Sequence, residues 1–166
     1  MTTMKTYSAP SDNDLNKALN TFLAEEPAVS YKNKPKTFEG FLSDTFSLIQ
    51  VIAVGIPYSL FEKIQKRSPY SVKEWAELLD ISYKSMQRYQ ASNGRFKSIH
   101  SEKVFEYAEV FKAGMEFFED ADKFKHWLER KNRGFGGMRP IDFMKSSYGK
   151  DLVIETLGGF EHGIFI

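Results

Sequence analysis

Apolar residues recur at helical spacing along most of this chain, and nowhere does a stretch alternate apolar with polar residues between turn signals. A strand must send successive side chains to opposite faces, whereas these residues return every three or four positions and share one side of a helix. The expected fold class is therefore all-α. Leu15, Ala18, Leu19, Phe22 and Leu23 predict a short amphipathic helix behind the cap-rich positions 11–14. The surrounding segment, residues 1–37, is polar, with Pro10, Pro27, Pro35 and the lysine-rich stretch 32–36, and reads as a loosely held, partly disordered N-terminal arm. Beyond it the spacing predicts helices over 38–53, from Pro57 to about Lys66, and over 71–79, 82–91, 101–118 and 122–131. The longest apolar run, 46–56, is interrupted by Ser47 and Gln50 and falls well short of the roughly 20 residues of a membrane span. It reads as a buried helix, and no membrane association is expected.

At 42% hydrophobic residues the chain can bury a real core. It has no cysteine, which removes disulfides, thiolate metal sites and a cysteine nucleophile, and fits a cytoplasmic protein. Residues 1–20 lack the charged-then-apolar order of a signal peptide. His100, His126 and His162 are too dispersed for a local metal motif. Glu119, Asp120 and Asp122 stand where a helix begins and complement its dipole rather than forming a catalytic pair. Gly134-Phe-Gly-Gly has neither the preceding strand nor the following Lys-Ser/Thr of a phosphate-binding loop, and reads as a helix stop. Neither an enzyme nor a cofactor or metal site is expected.

Net charge is only +1, yet its distribution is uneven. Residues 63–97 and 125–150 are basic, and the acidic segment 102–122 lies between them. Such a chain could engage two anionic partners or pair its own patches internally. Within the first basic segment, residues 71–89 carry the pattern of a helix-turn-helix: Ala76 as the small residue where two helices cross, and Trp75, Leu79, Ile81, Met86 and Tyr89 as apolar anchors. Ser82 is placed to cap the second helix. Asp80 stands where glycine is commonest, and aspartate tolerates the left-handed conformation of such a turn. If Met86 and Tyr89 face inward, Tyr83, Lys84, Gln87 and Arg88 face outward. With Ser85, and with Arg95 and Lys97 just past the helix, they form the candidate DNA-binding set: Arg88 suits guanine, Gln87 adenine and Lys84 phosphate. Proteins of this kind pair on two half-sites, so a homodimer is expected, with Phe105, Val110, Phe111 and their helix as its surface.

The C-terminal third has an ordered set of features: Trp127-Leu128 near a helix end, Asn132 before the turn Phe135-Gly136-Gly137, Pro140 opening a helix, Ser147 with Gly149, and the tail Gly163-Ile-Phe. This succession resembles the toxin-binding domain of the Xre/MbcA/ParS antitoxin family, with Phe135 replacing the usual leucine. The resemblance implies an antitoxin of a type II toxin-antitoxin system whose partners are a toxin with a RES domain, which acts on NAD, and operator DNA. It also implies that the C-terminal segment enters the toxin's active-site cleft, which makes Phe160, Glu161, His162, Gly163, Ile164, Phe165 and Ile166 the candidate toxin-binding set. The corresponding division is an arm at 1–37, an Xre-like helix-turn-helix domain at 38–118 and a small helical toxin-binding domain at 119–166. Two other readings compete: a stand-alone helix-turn-helix regulator with a C-terminal ligand-sensing or dimerisation domain, and an interaction module with a vestigial helix-turn-helix.

Overall fold

The computed structural model describes residues 12–29 and 35–161. In chain order the helices are α1 (Asp12–Glu25), α2 (Phe38–Leu42), α3 (Thr45–Val54), α4 (Tyr58–Gln65), α5 (Val72–Leu78), α6 (Tyr83–Ser92), α7 (Ser98–Phe118), α8 (Ala121–Glu129), α9 (Pro140–Phe143) and α10 (Ser147–Glu161). A short 3-10 turn, Arg133–Phe135, joins α8 to α9, and among the described residues the only extended pairings are isolated bridges. The fold is all-α, as the periodicity requires.

α7 is the axis of the molecule. Its Val104, Phe105, Tyr107, Ala108, Val110 and Phe111 are all buried, and α3, α8 and α10 pack against it. Burial of Phe105, Val110 and Phe111 corrects the expectation that they form a dimer surface, because the chain's own core already covers them. Aromatic rings meet edge to face around Trp75, which lies 5.4 Å from Phe61, 5.5 Å from Phe111 and 5.8 Å from Tyr107. The Trp75 indole N–H donates to Ser68 Oγ at 2.7 Å, so the buried indole keeps a partner.

The N-terminal part is docked on this core. α1 buries Leu15, Leu19, Phe22 and Leu23 and packs against α4, and Asn16 Oδ1 accepts from the Phe38 amide at 2.7 Å. The expected helix over 38–53 is two helices. Ser43 closes α2, and Asp44 accepts from the Ser47 amide at 3.3 Å to start α3. The expectation that 46–56 is buried also needs correction: Val51 and Ile56 are fully buried, but Phe46 and Ile49 are 65% and 61% exposed. α7 begins at Ser98, one turn before the expected Ser101. Ser101 instead turns inward, where its Oγ accepts from the Ile56 amide at 3.1 Å.

Close backbone approaches fix the C-terminal helices. A Cβ on Gly114 of α7 would lie 2.0 Å from the Phe124 ring of α8. One on Gly149 of α10 would lie 2.0 Å from the Phe143 carbonyl oxygen, so glycine lets α10 start against the end of α9. Along α7 and α10, Ser147 Oγ donates to Glu106 and Lys150 pairs with Glu109. One buried cluster runs from Leu15 to Leu157, with no break between residues 118 and 119.

Candidate functional site

Two regions carry the features that the sequence marks for binding. The first is the α5–α6 pair. Ser71 and Glu74 form a reciprocal capping box at the start of α5. Ala76 is buried at 1% exposure, its carbonyl accepts from the Ile81 amide at 3.0 Å, and Asp80 takes a positive φ of 54°, the left-handed conformation expected of it. Ser82 Oγ then accepts from the Ser85 amide at 3.1 Å and starts α6. Trp75, Leu79 and Met86 are buried, while Ile81 and Tyr89 are half-buried. Tyr89 stacks on Phe96 at 4.4 Å, which holds the end of α6 against the start of α7.

This packing leaves Tyr83, Lys84, Gln87 and Arg88 exposed together on the outer side of α6. Ser85 is half-buried, its hydroxyl 2.9 Å from that of Ser82, and so works within the cap. Arg95 has a structural partner: its guanidinium pairs with Glu26 at 2.7 Å and lies over the Phe22 ring, tying the loop after α6 to α1. Lys97 is exposed immediately before α7. The structure therefore groups four of the candidate DNA-binding side chains and separates Arg95 from them.

The second region is C-terminal. Asp120 accepts from the Lys123 amide at 2.9 Å and opens α8, whose Phe124 and Leu128 are buried. Asn132 accepts from the Gly134 amide at 2.8 Å, Gly136 and Gly137 take φ of 64° and 79°, and Pro140 occupies the first turn of α9. Phe135 is 2% exposed, edge-on to Trp127 at 6.0 Å and to Phe143 at 5.1 Å, so an aromatic ring fills the place where the sequence departs from the expected leucine. α10 buries Val153, Thr156 and Leu157 and exposes Tyr148 at 91% and Leu152 at 39%.

The helix α10 continues through Gly158 and Gly159 to Glu161. Those glycines are thus helical. Phe160 and Glu161 end α10, while His162, Gly163, Ile164, Phe165 and Ile166 lie outside the described residues. Tyr148 and Leu152 escaped the sequence reading. Their spacing of four was available, but Gly149, Gly158 and Gly159 masked the helix that gives the spacing meaning.

Residues 113–163 match the family model of the antitoxin Xre/MbcA/ParS C-terminal toxin-binding domain. The chain is similar to the protein named Antitoxin Xre of Photorhabdus laumondii subsp. laumondii, with 26% identity over 115 residues, covering 69% of this chain and 78% of that one. It is also similar to the protein of the same name from Yersinia enterocolitica serotype O:8, with 24% identity over 119 residues, covering 71% and 80%. Its C-terminal part is thus similar to the toxin-binding domain of the Xre/MbcA/ParS antitoxins. The matched domain comprises the end of α7, α8, the glycine turn, α9 and α10. That domain starts inside α7, the helix that also closes the core behind α5 and α6. Among the described residues no helix is long and apolar enough to cross a membrane.

Proposed function

We propose that this antitoxin neutralises a RES-domain toxin by direct binding through the outer side of α10 and residues 160–166, and represses its own operon through α5 and α6 acting as a helix-turn-helix. The observation that carries the toxin half is the match of residues 113–163 to a toxin-binding domain, which contains the whole of α10. Tyr148 and Leu152 support it: large apolar side chains exposed one turn apart on the same helix are costly to leave in water unless a partner covers them. Phe160, Ile164, Phe165 and Ile166 would fill the apolar part of the toxin cleft, with Glu161, His162 and Gly163 between them. The DNA half rests on the capped turn and on Tyr83, Lys84, Gln87 and Arg88 standing out from one side of α6.

Two half-sites call for two protomers, and the dimer surface we propose is α3. It carries no charged residue, and Phe46, Ile49 and Ala53 share its exposed side at helical spacing. In this reading residues 1–37 serve as an N-terminal arm whose α1 docks on the core, 38–118 as the operator-binding unit and 119–166 as the toxin-binding unit of a cytoplasmic regulator. The alternative, a stand-alone regulator without a toxin, predicts that the chain end is dispensable for cell growth.

Growth rescue separates the two. Deleting residues 162–166 leaves every described residue in place and is expected to abolish neutralisation of a coexpressed RES-domain toxin while operator binding persists. Tyr148→Glu with Leu152→Glu is expected to weaken toxin copurification without altering the circular dichroism spectrum. Full rescue by both variants would overturn the assignment.

A further inference from the structure

The second basic segment divides in the folded protein. Lys125 pairs with Glu74, Arg139 with Asp142 at 2.7 Å, and Lys150 with Glu109, so these cations are neutralised within the chain. Arg130, Lys131 and Arg133 instead converge with Lys123 on one cleft. Lys123, His126, Trp127 and Arg130 lie at i, i+3, i+4 and i+7 along and just past α8, and so share one side of it. Lys131, Asn132 and Arg133 close the far edge, and Phe118 closes the near one, giving an open cleft. Lys123, His126, Arg130, Lys131 and Arg133 are exposed, and among the described residues no carboxylate lines the cleft and the one ion pair that reaches it is the loose contact of Lys123 with Asp120 at 3.9 Å. Trp127 is half-buried between this cationic rim and the rings of Phe118 and Phe135.

We propose that this cleft is a nucleotide site, with Lys123, Arg130, Lys131 and Arg133 holding a polyphosphate and Trp127 with Phe118 stacking on a base. A surface evolved only for solubility interleaves acids with bases, whereas this one excludes acids from a concavity and puts aromatic rings in its wall. Guanidinium groups match phosphate oxygens in bidentate geometry, and aromatic stacking is the sequence-tolerant way to hold a base. The cleft is not an extension of the α6 surface. Tyr89 of α6 stacks on Phe96, just before the first turn of α7, whereas Phe118 is α7's last residue. About 30 Å of helix therefore separates them, at a rise of about 1.5 Å per residue.

Fluorescence of the full-length protein tests the site, because Trp75 is fully buried and Trp127 is the tryptophan beside the cleft. ATP is expected to change the emission saturably, inorganic pyrophosphate to compete with it, and adenosine to bind at least tenfold more weakly. Arg130→Gln combined with Arg133→Gln should weaken ATP at least tenfold with an unchanged circular dichroism spectrum, and Lys84→Gln on α6 should leave ATP binding unaffected. The site is overturned if ATP gives no saturable change up to millimolar concentration, or if Lys84→Gln weakens ATP as much as the cleft variant does. It is also overturned if polyglutamate binds the cleft tenfold more tightly than ATP, which would make an acidic protein segment the occupant.

Discussion

Arg88 projects from α6 with no ion-pair partner among the described residues, and its neighbours Lys84 and Gln87 share its exposure. A guanidinium so placed can read a guanine edge, and losing such a bidentate contact costs about 1 to 3 kcal/mol of binding. Arg88→Ala is therefore expected to weaken operator binding by that amount in mobility-shift titrations, while Arg95→Ala acts mainly on stability because Arg95 is engaged with Glu26 and Phe22. Equal loss of operator affinity in the two variants would contradict this division. The contrast also marks the reach of sequence reasoning. Asp80, Ser82 and Met86 were legible because their roles follow from local geometry and helical period. The partner of Arg95 lies far along the chain, and nothing in the local sequence points to Glu26.

Helices were legible wherever an apolar stripe stood beside a capping residue, and obscured where glycine interrupted the stripe. α10 is the clearest case: Gly149, Gly158 and Gly159 lower its intrinsic propensity, so it is held by Val153, Leu157 and the pairing of Lys150 with Glu109 rather than by local preference. α3 shows the complementary failure. Its composition marks it as apolar, but composition alone does not say whether another element of the same chain covers each side. Phe46 and Ile49 stay uncovered. Ile49→Glu is expected to convert a dimer to a monomer in light scattering at micromolar concentration and to weaken binding to a two-half-site operator more than to a single half-site. An unchanged molar mass would remove α3 from the interface.

At the scale of the whole molecule, the sequence suggested two functional units, and the structure gives them one core. Phe111 of α7 touches both Trp75 and Phe124, so the aromatic packing of one unit continues into the other. Cooperative unfolding is the expected consequence. Trp75→Phe leaves Trp127 to report the C-terminal half, and its fluorescence midpoint should coincide with that from circular dichroism of the same variant. A separation of more than about 5 °C, the shift expected from about 1 kcal/mol in a domain of about 60 to 100 residues, would indicate independent domains.

A single 21-residue helix, α7, runs from just past the α5–α6 pair, the proposed operator-binding surface, into the matched toxin-binding domain, with no linker between them. Such a helix behaves as a strut. If two protomers sit on neighbouring half-sites, the spacing of the DNA sequence sets the spacing of the two bound toxins. An insertion between half-sites then alters not only how tightly the antitoxin holds the operator but also how closely its captives are brought together.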